Sequence, residues 1–264
     1  MTMSTAEHDA LLTLAHEPTP AGWLGIQYLA AIYMRFGTHD ALEVTQLIDQ
    51  ATRGRFEIGL GGSVDDEINS RVTSNFAGFI LHTSTVGFRG ELADPVRGNP
   101  QTGHFFSYVV WALDTIDDTD FRLALGHEFV PDTGGITQYT RQWQAGLSGA
   151  GDLRRIVLSL PLDASAEMDY SALDARFDSL GWTGLMDSSF HDETFWDPEA
   201  EELWTGQVHT GNSAQDLRCT IAGFQFGRLI RERQLGDGAS ACRWLERNVM
   251  DCACRYLPAP TSGS

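Results

Sequence analysis

The feature that most constrains the fold is the run from His104 to Leu113, in which nearly every side chain is apolar. A helix that is apolar on every side has to be surrounded by other elements, because no face of it suits water. His104 and Ser107 are its only polar residues before Asp114, and a spacing of three places them on one face. The run predicts a multi-helix globular domain whose buried helix carries one polar line that needs partners.

Helical patterns also dominate the rest of the chain, so the predicted fold class is mainly α. The apolar stretch Ala21–Phe36 is too short to span a bilayer and predicts a core helix. A helix capped by Asn212 or Ser213 carries Gly223 and Gly227, whose four-residue spacing lets another backbone approach closely. Further helices are predicted at Thr38–Ala51, Thr119–Val130, Asp169–Leu180 and Ala239–Arg255.

One small β element is predicted near residues 153–163, because Ile156, Leu158, Leu160 and Leu162 recur at every second position. The segment Ile136–Trp143 is either a second strand or a short helix. The glycine-rich stretch Gly146–Gly151 is typical of a linker. We therefore predict a helical N-terminal subdomain over residues 1–150 and a C-terminal subdomain over 151–264, with one continuous domain as the alternative.

The chain contains no lysine, and all 18 of its cationic side chains are arginine. Walker-type phosphate loops, protein kinases, pyridoxal-phosphate enzymes and Schiff-base aldolases all need a lysine amine at the reacting centre. These four classes are therefore excluded. Because lysine codons are AT-rich, the composition is typical of a high-GC or salt-adapted bacterium. Selection against lysine-directed tagging is a second interpretation.

The net charge of −18 disfavours partners that are themselves anionic. Nucleic-acid backbones and anionic lipid surfaces would be repelled, so no nucleic acid is expected and no membrane span is found. Residues 1–17 contain no arginine and lack the basic segment of a secretory signal, which predicts a cytoplasmic location. The expected partner is an unknown small molecule or protein.

All four cysteines lie in the C-terminal part of the chain, at Cys219, Cys242, Cys252 and Cys254. No second close pair accompanies Cys252 and Cys254, as a zinc knuckle would require. In a reducing compartment such cysteines are usually buried free thiols. We therefore predict four free thiols and no structural metal there.

The candidate site consists of His104, His127, Glu128 and Asp216. A short turn over residues 114–118 makes the helix after it an antiparallel neighbour of the helix that starts at His104. The end of the second helix, at His127 and Glu128, then lies beside the start of the first. Asp216 adds a carboxylate from the late helix. Two imidazoles and carboxylates can bind a divalent metal, with Glu128 and His104 as the catalytic pair.

The order of these residues, a histidine, a His-acid pair and a distant aspartate, resembles the ligand order of HD-type metal phosphohydrolases. That family is all-helical and acts on phosphate esters, so the resemblance implies a metal-dependent hydrolase. The family has His-Asp where this chain has His127-Glu128.

Three other interpretations stay open. His104 can be a hydrogen-bonded core residue, Glu128 an arginine partner, and Asp216 an acid that opposes the helix macrodipole. Glu128 can be a general acid, with Asp132 or Asp216 as second carboxylate, as in a glycan hydrolase. The chain can also be a non-enzymatic helical interaction or effector protein of a bacterial defence or delivery system.

Overall fold

The computed structural model describes a chain built mainly from α-helices. The described residues are 3–16, 20, 23–52, 86–93, 101–113, 121, 124–125, 149–183, 191–197, 202–208 and 213–257. The elements in chain order are α1 (Thr5–His16), α2 (Gly25–Arg35), α3 (Ala41–Thr52), α4 (Gln101–Leu113), α5 (149–159), α6 (Tyr170–Ser179), β1 (His191–Asp197), β2 (Glu202–Val208), α7 (Ala214–Arg231) and α8 (Gly238–Asn248). The mainly α prediction is confirmed.

The centre of the fold is the close pair formed by α4 and α7. A Cβ atom on Gly223 would lie 2.6 Å from the carbonyl oxygen of Phe105, and one on Gly227 would overlap the carbonyl oxygen of Val109. Only hydrogen fits at these positions, so the backbones meet at the two glycines. The predicted close approach at Gly223 and Gly227 is confirmed, and α4 is buried along nearly its whole length as expected.

A second layer forms where α2 packs against α8. Residues Gly25 to Tyr33 of α2 are all buried, which confirms the predicted core helix. The ring of Phe226 on α7 contacts Tyr33 at 5.6 Å, Phe105 at 5.9 Å and Trp244 on α8 at 5.1 Å, measured between centroids. These aromatic contacts join the second layer to the central pair.

The β element predicted near residues 153–163 is wrong, because residues 149–159 are helical. Leu153, Ile156 and Val157 are buried at helical spacing, and Leu160 follows as a half-buried side chain. Leu158 and Leu162, which the strand pattern would have buried, are 48% and 44% exposed. Described strands occur instead in an antiparallel pair, β1 and β2, which pairs His191 with Val208.

The last helix is shorter than predicted. The pattern extends the helix to Arg255, whereas α8 ends at Asn248. After Asn248 the backbone pairs with residues 88–89. Phe88 and Met250 form an isolated antiparallel bridge, and Arg89 N donates to Val249 O at 2.9 Å. Sheet-like pairing has replaced the last helical turns.

Several predictions remain as predictions. The segment Ile136–Trp143 and most of the helix Thr119–Val130 lie outside the described residues. The subdomain division at residue 150 is untested, although residues 149–151 of the expected linker are helical. Of the described helices, none combines the length and the apolar character needed to cross a membrane.

Candidate functional site

His104 lies in the core, at the interface between α4 and α7. Its side chain is only 4% exposed, and its Nε2 atom forms a hydrogen bond of 3.0 Å with Oγ1 of Thr220. The imidazole also meets the ring of Tyr108 edge-on, with centroids 5.1 Å apart. The histidine is therefore held by a polar partner from α7 and an aromatic partner from its own helix.

Asp216 lies in the first turn of α7 and is fully buried. Ser213 caps this helix: the backbone N–H of Asp216 donates to Oγ of Ser213 at 3.2 Å. Asp216 and Thr220 are four residues apart and share one face of α7. Because Thr220 contacts His104, the fold places Asp216 on the α7 face that meets the histidine.

The other half of the predicted site lies outside the described residues. Neither His127, Glu128 nor Asp132 is described, so whether the first two meet His104 stays a prediction. The two described members do not have the solvent access that we expected. In the described part of the chain, the group that can hold a metal is a different one, Cys242, Glu246 and Cys254.

A groove of about 780 Å³ lies among the described residues. Its walls are α5, α6 and the connection between them, and α7 and α8 contribute Gln225 and Trp244. The lining residues are Arg155, Ile156, Ser159, Leu160, Pro161, Asp163, Ala166, Glu167, Met168, Asp169, Ala172, Leu173, Arg176, Gln225 and Trp244. We call this feature the α5–α6 groove. The sequence pattern missed it, because one wall was assigned to a strand.

Side-chain hydrogen bonds fix the walls of the α5–α6 groove. Gln225 Nε2 donates to the carbonyl oxygen of Pro161 at 2.7 Å and so ties the connecting segment to α7. Arg228, itself buried, donates to the carbonyl oxygen of Val157 at the end of α5. Burial lowers the pKa of this guanidinium, with a smaller contribution from Arg231. Both bonds hold the groove open in a defined shape.

The groove carries charge of both signs at its rim. Asp169 accepts from the backbone N–H of Ala172 at 2.9 Å and caps α6. Asp163 accepts from the hydroxyl and the backbone N–H of Ser165, and these hydrogen bonds lower the pKa of its carboxyl. Arg155 forms an ion pair with Asp152. Arg176 also lines the groove, so its charged lining comprises the two arginines and three acids, Asp163, Glu167 and Asp169.

The prediction of four free thiols is wrong for one pair. The structure joins Cys242 of α8 and Cys254 of the C-terminal segment in a disulfide, and Cys219 and Cys252 are not disulfide-bonded. The C-terminal segment turns back after α8 ends and brings Cys254 to the helix, which the longer predicted helix would have prevented. The four-residue spacing of Cys242 and Glu246 on α8 was the available signal.

Comparison of the chain with protein-family models, with curated proteins and with solved structures found no match. Proposals about function rest on the geometry of the α5–α6 groove, the His104 region and the cysteine pair.

Proposed function

We propose that this protein is a non-enzymatic helical interaction protein. Its binding surface is the α5–α6 groove, and its partner is a protein that inserts an apolar segment flanked by basic residues. The observation that carries this proposal is the combination of an apolar lining with the two acids, Asp163 and Glu167, at the rim.

The apolar surface extends beyond the groove itself. Leu158 and Leu162 are about half exposed and flank lining residues in the chain. A second, more open hollow includes Leu158 and shares Arg155 and Ser159 with the α5–α6 groove. Exposed apolar side chains beside a groove are typical of protein interaction sites.

The negative charge of the protein favours basic residues at the two ends of the partner's apolar segment. The chain has 36 acidic residues against 18 arginines, so its long-range field attracts cationic partners. At the groove, Arg155 is paired with Asp152, and the lining acids Asp163, Glu167 and Asp169 outnumber the lining arginines Arg155 and Arg176 by three to two. Basic residues on either side of the apolar segment therefore gain attraction both during approach and when bound.

The burial of His104, a predicted catalytic residue, and of Asp216, a predicted metal ligand, favours this function over the hydrolase. A substrate has to reach its catalytic groups, whereas His104 and Asp216 have almost no exposed surface. The hydrogen bond between His104 and Thr220 fits a core residue. A metal-dependent hydrolase that uses His104, His127, Glu128 and Asp216 stays the alternative.

The test measures binding of a fluorescent peptide of about nine residues, with Leu and Phe at its centre and Lys at both ends. A library varying the central positions is read by fluorescence anisotropy against the full chain. Lys-flanked members should bind, and the same cores flanked by Glu should bind at least about tenfold more weakly. Equal binding of the Lys-flanked and Glu-flanked peptides would show that charge does not select the partner.

Two matched variants locate the binding surface. Ala172 and Ala175 are both exposed on α6, but only Ala172 lines the groove. Ala172→Arg fills the groove and repels a basic peptide, so the Kd of the best Lys-flanked peptide should rise about tenfold or more. Ala175→Arg should leave that Kd within about twofold. If no peptide binds, or if both variants behave alike, the proposed function is wrong.

A further inference from the structure

Three ligand-bearing side chains converge where the C-terminal segment returns to α8. One potential ligand atom from each of Cys242, Glu246 and Cys254 lies within 4.8 Å of the other two. Cys242 and Glu246 share a face of α8 because they are four residues apart, and Cys254 comes from the C-terminal segment. Two sulfurs and one carboxylate thus face a common point.

Hydrogen bonds preset the position of this group. Glu246 accepts from the backbone N–H of Cys254 through Oε1 at 2.6 Å, which orients the carboxylate towards the two sulfurs. Gln27 Nε2 donates to the carbonyl oxygen of Ala253 at 3.0 Å, and the guanidinium of Arg255 lies 5.6 Å from the ring centre of Trp23. Both neighbours of Cys254 are therefore anchored to the α2 region, and the cysteine is held in place.

The donor set suits zinc. Thiolate sulfur and carboxylate oxygen are both zinc ligands, and soft thiolates disfavour calcium and magnesium. With zinc–sulfur bonds of about 2.3 Å, two thiolates on a tetrahedral ion lie about 3.8 Å apart, wider than in a disulfide. In the reduced protein the two sulfurs are no longer bonded to each other and can take that wider spacing.

We propose that the reduced protein binds one Zn²⁺ ion through Cys242, Glu246 and Cys254, with water as the fourth ligand. Both thiols lose their protons to solvent when the ion binds. The ion fixes the C-terminal segment to α8, and so it holds in place the part of the segment that contacts α2 and Phe88. When the same two sulfurs form the disulfide they offer no thiolate, so the oxidised protein does not bind the ion.

The direct test uses the full chain, reduced with a phosphine and freed of metal by a chelator that is then removed. Zn²⁺ alone is added, and elemental analysis after gel filtration should find about one equivalent per chain. Co²⁺ in place of Zn²⁺ should give the near-ultraviolet sulfur-to-metal charge-transfer band that thiolate ligands produce. Reduced, folded protein that retains no zinc would overturn the proposal.

Variants separate this site from a simple disulfide. Glu246→Gln should weaken zinc binding by about tenfold or more, yet it should leave disulfide formation unchanged in unreduced protein. Cys254→Ser should abolish the cobalt band. Cys252→Ser is the matched control, because that thiol is free and two residues from Cys254.

Each variant's fold is checked by circular dichroism, so that a loss of zinc in an unfolded chain is not counted. The half-exposed position of Glu246 makes Glu246→Gln the variant least able to disturb the core. Retained affinity in Glu246→Gln, or equal loss in Cys252→Ser, would show that the ligands are not the three assigned here.

Discussion

At the residue scale, His104 shows how burial separates a structural role from a catalytic one. A catalytic or metal-binding histidine can be replaced by alanine without much loss of stability when it faces a cleft. His104 instead fills core volume beside Tyr108 and bonds Thr220, and it is 4% exposed. Its removal leaves a cavity and takes one hydrogen-bond partner away from Thr220.

We therefore expect His104→Ala to lower the free energy of unfolding by about 2–4 kcal/mol in urea titrations. A double-mutant cycle with Thr220→Val should give a coupling energy of about 1 kcal/mol, because the two side chains share one hydrogen bond. Stability within about 0.5 kcal/mol of the unchanged protein, together with lost metal uptake, would favour the hydrolase instead.

The residue scale also sets the limit on predicting the site from sequence. The polar line of His104 was predictable, because two polar residues stood out on an apolar helix. Its partner Thr220 was not, since it lies 116 positions away and carries no distinctive pattern. The approach of Cys254 to Cys242 and Glu246 was not predictable either, because the turn after Asn248 depends on long-range pairing with Phe88 and Arg89.

At the element scale, the contact between α4 and α7 depends on the absence of two side chains. A Cβ on Gly227 would overlap the carbonyl oxygen of Val109 and lie 2.7 Å from the Cβ of Ala112. Both obstacles belong to the facing helix, and a carbonyl oxygen cannot rotate away. The helices would have to separate, and the aromatic contacts around Phe226 would loosen with them.

Gly227→Ala should therefore destabilise the protein by about 2–4 kcal/mol, despite the better helix propensity of alanine. Gly151→Ala is the matched control: it is an exposed helical glycine of α5, and its added Cβ would meet only the end of Arg155, at 3.9 Å. That variant should stabilise by about 0.5–1 kcal/mol. Thermal and urea unfolding measure both, and equal effects would contradict the packing argument.

The same scale explains why one helix was misassigned. Ile156 and Leu160 belong both to an every-second-residue series and to a helical series with Leu153 and Val157. Only the tertiary contacts decide between the two, because α5 buries Leu153, Ile156 and Val157 and leaves Leu158 exposed. The four-residue spacing of Gly223 and Gly227 in α7, by contrast, predicted a close approach of another backbone, and the structure confirms it.

At the scale of the whole molecule, the dominant property is an excess of negative charge. Described ion pairs such as Arg218 with Asp174 and Arg233 with Asp40 neutralise some acids. Arginines can neutralise no more than half of the 36 acids, so the folded chain repels itself at neutral pH. Self-repulsion favours the expanded, unfolded chain, and dissolved salt weakens it.

The melting temperature should therefore rise by several degrees as NaCl increases from about 0.02 M to about 1 M. Most of the rise should come below about 0.3 M, because screening already acts over less than 10 Å there, whereas excluded-solute effects grow steadily with concentration. Binding of the Lys-flanked peptide should respond in the opposite sense and weaken over the same range, since salt screens its attraction to the acidic chain. Calorimetry and anisotropy on one buffer series measure both, and a melting temperature that stays flat or falls would show that the acids are paired instead of crowded on the surface.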